Sequence, residues 1–367
     1  MKNVIFLSLI QKNIVSIGLS ENVKVIDLFC GIGGLTYGLK NTGLNVVAGI
    51  DLDETCRYPY EENNKSTFYC KDILNLKGQE LNEMFGECKI KILVGCAPCQ
   101  PFSNYSLKSQ DKNKWRLLYE FTRLIKQTKP DIISMENVPR LMKFSKENVF
   151  PDFLKNLKKM GYFVEYKIVN CADFGIPQTR KRLVLLASKR GTISLIPNTY
   201  QADNYKTVKD AIFKLEPLEH GEASLKDPLH RAAKLKELNL KRVKQSKPGG
   251  TWKDWDKELR LECHKKDSGK SYVSVYGRME WDKPSPTITT HCTGIGNGRF
   301  IHPFQNRGIT LREAAILQSF PKKYKFIKKG GKLKVKSIST HIGNAVPVKL
   351  GEAIGKSILH HIKTFHL

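Results

Sequence analysis

Along its first half the chain alternates short apolar runs with longer stretches whose apolar positions recur every three or four residues. The run at 23–29 predicts a buried strand, followed by a glycine loop and a helix carrying Leu35, Leu39 and Leu44. Further strands are predicted at 46–50, 91–94 and 131–135. Between the last two, Leu117, Leu118, Phe121, Leu124 and Ile125 fall on one helical face. Phe153, Leu154, Leu157 and Met160 mark another helix, stopped by Gly161, and strands at 163–169 and 182–187 close the stretch. Such alternation predicts an α/β fold, a doubly wound, mostly parallel sheet with helices on both faces.

After residue 190 the texture changes. Residues 191–283 are polar, basic and weakly periodic, with a break at Pro248, Gly249 and Gly250. Trp252, Trp255, Tyr272, Tyr276 and Trp281 are interleaved there with Lys and Arg, which reads as a separate, smaller, irregular lobe. Apolar periodicity returns at 348–362, where Leu350, Ile354, Ile358 and Leu359 share one face of a helix. The first 22 residues open with a short apolar run, Val4 to Ile10, too brief to span a bilayer and with no small-residue cleavage site behind it. They read as an N-terminal extension, and no membrane span is expected elsewhere.

Charge narrows the partners. The 367 residues include 62 Lys+Arg against 35 Asp+Glu, a net charge of +27, which fits a polyanion and nucleic acid first of all. The plainer alternative is a set of solvated lysines, and 322–336 reads equally well as a solvated face or a phosphate contact. Nine cysteines form no disulfide framework and are expected as reduced thiols of a cytosolic protein.

Two stretches carry candidate chemistry. Asp27-Leu28-Phe29-Cys30-Gly31-Ile32-Gly33-Gly34 follows a strand and opens a helix, so its glycines allow close backbone approach to a ligand. Asp51 ends the next strand, where an acid can bind ribose hydroxyls, and Asp72 is placed to take an adenine amino group. Alone, this loop fits a nicotinamide cofactor, S-adenosylmethionine, or a plain strand-to-helix turn.

The second stretch, Gly95-Cys96-Ala97-Pro98-Cys99-Gln100-Pro101-Phe102-Ser103, places Cys99 at the carboxyl end of a parallel strand. Met135-Glu136-Asn137-Val138-Pro139 ends the neighbouring strand, so a thiol and a carboxylic acid are predicted to face one pocket. A thiolate attacks electron-poor conjugated carbons such as carbon 6 of cytosine, and an acid at ring nitrogen 3 makes that addition easier. Cys96 and Cys99 also form a Cys-x-x-Cys pair, but the other pairing, Cys263-His264, is poorly spaced for zinc, and Pro101 disfavours a redox helix. No metal is expected. Cys30, Cys56, Cys70, Cys88 and Cys171 read as structural.

These residues resemble the cytosine-5 DNA methyltransferase family, S-adenosylmethionine-dependent and of bacterial type, with motifs in order over most of the chain. Residues 27–34 are similar to its first, cofactor-binding motif, Pro98-Cys99-Gln100 to its catalytic loop and Glu136-Asn137-Val138 to its acid motif. Gln178-Thr179-Arg180-Lys181-Arg182 is similar to its Gln-x-Arg-x-Arg motif. Arg278 with Pro284-Ser285-Pro286-Thr287-Ile288-Thr289 resembles the late motif, and Gly343-Asn344-Ala345-Val346-Pro347 the final one.

The resemblance implies a Rossmann-like catalytic and cofactor-binding domain over 23–190, a target-recognition domain over 191–331, and a segment over 332–367 that returns to the catalytic domain. It implies Cys99, Glu136 and Arg182 as catalytic residues, Arg182 meeting the oxygen of a flipped cytosine and organising Cys99. Around S-adenosylmethionine it implies Phe29, Gly31, Gly33, Gly34, Asp51, Asp72, Pro98 and Asn344, with turn formation the alternative for Asn344. Gln178, Arg180 and Arg278 are expected on DNA, with a local structural role the alternative for the first two. Cys30 stands where alanine is common. Leu52 stands where an aromatic often stacks on adenine, which is expected to weaken cofactor affinity.

The implied protein is a site-specific DNA (cytosine-5) methyltransferase, of a restriction–modification system or an orphan modification enzyme. It is expected as a monomer in the bacterial cytoplasm, acting on double-stranded DNA, with a cognate restriction endonuclease as a candidate partner. The rivals are a tRNA cytosine-5 methyltransferase and a non-catalytic DNA-binding protein on the same scaffold. The long recognition region favours duplex DNA, and the presence of Cys99, Glu136 and Arg182 favours an enzyme.

Overall fold

Alternating strands and helices take up the first half of the chain, and the computed structural model describes residues 22–98, 114–144, 148–269 and 271–365. Elements in the first half are β1 (Val23–Leu28), α1 (Gly34–Asn41), β2 (Asn45–Asp51), α2 (Arg57–Asn64), β3 (Thr67–Cys70), α3 (Gly78–Phe85) and β4 (Ile90–Gly95). There follow α4 (Leu117–Thr128), β5 (Ile132–Asn137), α5 (Val149–Lys159), β6 (Phe163–Asn170) and β7 (Lys181–Ser188). The remainder holds α6 (Val208–Ile212), α7 (Glu237–Gln245), α8 (Glu262–Lys265), α9 (Leu311–Leu317), α10 (Val335–Asn344) and α11 (Val348–Thr364). No helix among the described residues is long and apolar enough to cross a membrane.

Two compact units result. The first comprises the described residues up to Asn170, together with Lys181–Pro197 and those from Val346 onward; the second comprises Cys171–Arg180 and Asn198–Ala345. This division differs from the expected one at 191–197, which groups with the first unit, at 171–180, which groups with the second, and most of all at 332–345, which also groups with the second. The reason is local: Gln318 Nε2 donates to the Ile342 carbonyl at 3.1 Å, and a Cβ at Gly343 would collide with the backbone of Thr289 and Thr290.

The first unit is built on one seven-stranded sheet of order β3-β2-β1-β4-β5-β7-β6. Strands β1 to β5 are mutually parallel, and β7 runs antiparallel to both β5 and β6. Parallel strands buried on both faces need near-continuous apolar runs, and Ile26, Leu28, Ile92, Leu93, Ile132 and Ile133 are all fully buried. Helices α4 and α5 contribute Phe121 and Phe153, whose rings lie 5.9 Å apart in the core. Helix α11 packs on α1 so closely that a methyl at Gly38 would collide with the backbone of Val348 and Glu352; only glycine fits there. The C-terminal helix thereby braces the helix that follows the glycine loop.

The second unit contains only short helices and isolated bridges among its described residues. An irregular backbone leaves carbonyls that no ladder satisfies, and buried ones must find donors elsewhere. Arginine supplies them. Arg278 is 4% exposed and donates to the carbonyls of Ser246 (2.6 Å), His302 (2.8 Å), Gln305 (2.9 Å) and Val243 (2.7 Å), and to Asn306 Oδ1 (2.9 Å). All five of its N–H groups are thus engaged, and burial pulls its pKa down to about 10. Arg307 makes a two-pronged bond to Glu313 at 2.8 and 2.7 Å, and Trp252 stacks on His264 with ring centroids 4.2 Å apart.

Replacing Arg278 by lysine keeps the charge but cannot reach five acceptors in a plane. Arg278→Lys is expected to lower unfolding stability by about 3 kcal/mol or more, since each orphaned buried acceptor costs about 1–3 kcal/mol. Urea unfolding of the full chain measures this; a loss below about 1 kcal/mol would contradict the role given to the guanidinium.

Candidate active site

At the carboxyl end of β1 the backbone turns sharply, with positive φ at Phe29 (59°), Gly31 (51°) and Gly33 (85°). Asp51, ending β2, holds this turn: its Oδ2 accepts from Gly31 N and its Oδ1 from Asp53 N, both at 2.9 Å. At Gly33 a side chain would strike Asn64 and Tyr60, so glycine is required for packing as well as for φ. Below the loop, Asp27 is 1% exposed and accepts from Thr36 Oγ1 at 2.7 Å. Burial pushes Asp27 up to about 7 against the pull of Thr36, with Asp51 adding repulsion. Burial also raises Asp51, partly offset by the bonds from Asp53 and Gly31.

Beside Asp51, Leu52 is 67% exposed, and beyond β3 the half-buried Asp72 accepts from Leu74 N at 3.0 Å. An adenosyl group needs an acid for its ribose hydroxyls, an apolar ledge for its base and a backbone that curls away from it. Asp51, Leu52 and the open space above Gly31, where a Cβ would meet nothing within 4 Å, answer those needs. The residues fit S-adenosylmethionine.

A second cluster lies along the same sheet edge. The register pairs Gly95 of β4 with Met135 of β5, which brings the following residues, Cys96 and Glu136, side by side. Strand β7 enters antiparallel, pairing Leu183 with Asn137, so its first residues arrive at the edge where β5 ends. Glu136 is 3% exposed. Its Oε2 accepts from Cys96 Sγ at 2.8 Å, and its Oε1 lies 2.9 Å from Arg182 Nε. The Arg182 contact is an ion pair whose N–H is poorly aligned for a hydrogen bond. Asn137 Nδ2 donates to the Ala97 carbonyl at 3.1 Å, tying β5 to the segment that leads into Pro98, which is half-buried. Cys99 lies outside the described residues.

A family model of C-5 cytosine-specific DNA methylases matches residues 23–360. The chain belongs to this family. Type II methylase M.HgiDII of Herpetosiphon aurantiacus is 54% identical over 342 residues, 93% of this chain and 96% of that relative. Type II methyltransferase M1.HphI of Haemophilus parahaemolyticus is 32% identical, over 92% and 87% of the two chains. Among solved structures, a prophage-encoded protein from E. coli described as a DNA modification methyltransferase superposes with TM-score 0.72 at 22% identity, covering 93% of this chain and 99% of its own. S. pombe Dnmt2 gives 0.63 at 18% identity, covering 94% and 100%. The structural likenesses speak for a shared Rossmann-like fold.

In this methylase the three residues expected on DNA are buried. Gln178, Arg180 and Arg278 are 0%, 3% and 4% exposed. Gln178 Nε2 donates to the Leu317 carbonyl at 3.1 Å and its Oε1 accepts from Ile288 N at 2.9 Å. Arg180 donates to the carbonyls of Ile288 (2.9 Å) and Gly343 (3.0 Å). These side chains satisfy backbone groups inside the second unit, a local structural role. Asn344, expected near the cofactor, ends α10 in that unit and is exposed. Arg182, two residues after Arg180, belongs to the first unit and meets Glu136.

Sequence reasoning passed over two residues of the cluster. Cys96 entered it only as half of a Cys-x-x-Cys pair, and Asn137 only as a motif neighbour. The usable signal was their spacing from the strand ends, which fixes register.

Asp27 generates a pH prediction. Its folded pKa, about 7, lies above its ordinary 3.8, so ionisation disfavours the fold. The cost is absent below about pH 4, grows as pH rises and is complete above about 7. Asp27→Asn is therefore expected to match the wild type near pH 4 and to exceed its stability by about 1–4 kcal/mol at pH 8. Urea midpoints across that range check it; a constant difference would contradict the assigned cause.

Proposed function

We propose that this methylase transfers a methyl group to carbon 5 of a cytosine extruded from double-stranded DNA, with Cys99 as nucleophile, Glu136 at ring nitrogen 3 and Arg182 at the carbonyl oxygen of the base. The observation that carries this reading is the buried Glu136, held between Arg182 and Cys96 beside the segment that runs through Ala97 and Pro98 to Cys99. Extrusion is needed because neither face of a stacked base can be reached.

In this reading the Cys99 sulfur adds to carbon 6 while Glu136 supports nitrogen 3, so electron density builds at carbon 5. When bound, S-adenosylmethionine supplies an electrophilic methyl group. Phe29, Gly31, Gly33, Gly34, Asp51, Asp72 and Pro98 are the residues that would hold it; for Asn344 the motif alone speaks. Loss of the carbon 5 proton then lets the sulfur depart, restoring the aromatic ring and the thiolate. The burial of Glu136 favours such a role, since a hydrogen bond to the base is stronger where water does not compete for it.

The net charge of +27 suits a duplex substrate. The reading assigns sequence recognition to the second unit. The Type II relatives support a place in a restriction–modification system, with a cognate endonuclease as the accompanying activity. We take the protein to work as a monomer in the cytoplasm, where its DNA lies.

Cys99→Ser is expected to lose methyl transfer by at least about a thousandfold while still binding S-adenosylmethionine by calorimetry, because a hydroxyl is a far weaker nucleophile than a thiolate. Glu136→Gln is expected to slow single-turnover transfer by about a hundredfold or more. Full activity in either variant, assayed with tritiated methyl donor on duplex DNA, would remove that residue from the mechanism. DNA affinity is expected to fall by at least about a hundredfold between 50 and 200 mM salt; a flat profile would speak against a duplex held by its phosphates.

A further inference from the structure

We propose that Cys96 is a positioning residue: its thiol holds the Glu136 carboxylate until the target base arrives, and then gives way to it. This rests on reading Glu136 as the group that meets cytosine. Both oxygens of Glu136 face groups of the chain itself, Oε1 toward Arg182 Nε at 2.9 Å and Oε2 toward Cys96 Sγ at 2.8 Å. At 3% exposure water has little access to either oxygen. A cytosine edge presents an amino group, a donor that needs a carboxylate oxygen, so it must share or take an oxygen from one of these two holders.

They are unequal. A guanidinium beside a carboxylate is a charged pair that keeps its attraction when poorly aligned, whereas a thiol is a weak hydrogen-bond donor. The thiol is the contact that yields. Arg182 keeps the carboxylate anchored, and Cys96 fixes Oε2 in the interval before binding, when an unheld carboxylate would turn away.

The backbone suits this use. Cys96 N donates to the Leu28 carbonyl at 3.3 Å, continuing the β1–β4 ladder, and Glu136 sits within β5, paired with Val184. Both ends of the thiol–carboxylate contact are thus fixed by the sheet, and only the weak bond between them has to change. A stronger donor at the same place would hold too well.

That last consequence is the test. Cys96→Ser puts a better donor at nearly the same volume, and Cys96→Ala removes the donor. Single-turnover methylation of duplex DNA is measured for wild type and both variants with enzyme and S-adenosylmethionine in excess, alongside thermal melting. The serine variant is expected to transfer methyl about tenfold more slowly than the alanine variant, the scale of one strengthened hydrogen bond, with melting temperatures that do not follow this order. A thiol that merely fills space gives the reverse, since serine replaces its volume better than alanine. Serine equal to or faster than alanine overturns the inference while leaving the proposed function standing. A wild type that transfers no methyl to DNA removes both.

Discussion

A carboxylate that is shielded from water and has no partner is too costly for a fold to keep, so Glu136 sets the terms for everything around it. Its cation comes from β7, and only because that strand reverses the direction of the five parallel strands before it. Were β7 parallel to β5, its opening Lys181-Arg182 would lie at the far edge of the sheet, and its last residue, Ser188, would stand beside Glu136. The reversal that spoils the regular parallel pattern is what completes the cluster. Asn137 then carries the constraint outward, fixing Ala97 and with it the start of the segment bearing Cys99.

The second unit answers a different physical problem. It has few ladders to satisfy its carbonyls, and it uses arginines as connectors where a sheet would use strands. Arg278, with five acceptors, and Arg180, bonded to the carbonyls of Ile288 and Gly343, each join stretches of chain far apart in sequence. The Gln-Thr-Arg-Lys-Arg stretch serves both solutions within five residues. Gln178 and Arg180 satisfy backbone in the second unit, and Arg182 is an ion-pair partner in the first. A mutation in this short stretch therefore acts on folding or on the carboxylate according to which residue it touches.

Much of the sheet was legible because buried parallel strands leave little choice of residue. The runs at β1, β2, β4, β5 and β7 announce themselves in this way, and β6, mostly exposed, is legible from its aromatic and β-branched residues instead, whereas β3, four residues with only Phe68 buried, does not stand out. Asp51 and Glu136 were legible for a related reason, since an acid at the end of an apolar run must face the sheet edge. What sequence hid was burial of charge. Arginines in a basic chain read as surface contacts to a polyanion, and nothing local distinguishes Arg278, fully enclosed, from an exposed neighbour. Cys96 was hidden because its role depends on the register of β4 against β5, which composition does not encode.

The glycine loop after β1 adds a constraint of its own. Asp27 and Asp51 are both pushed up by burial, which their donors offset only in part: Thr36 for one, the Gly31, Asp53 and Leu52 amides for the other. Their mutual repulsion appears among the causes of the Asp27 shift. Two such carboxylates beneath one loop leave the turn at Phe29, Gly31 and Gly33 dependent on the few hydroxyl and amide donors that offset their burial.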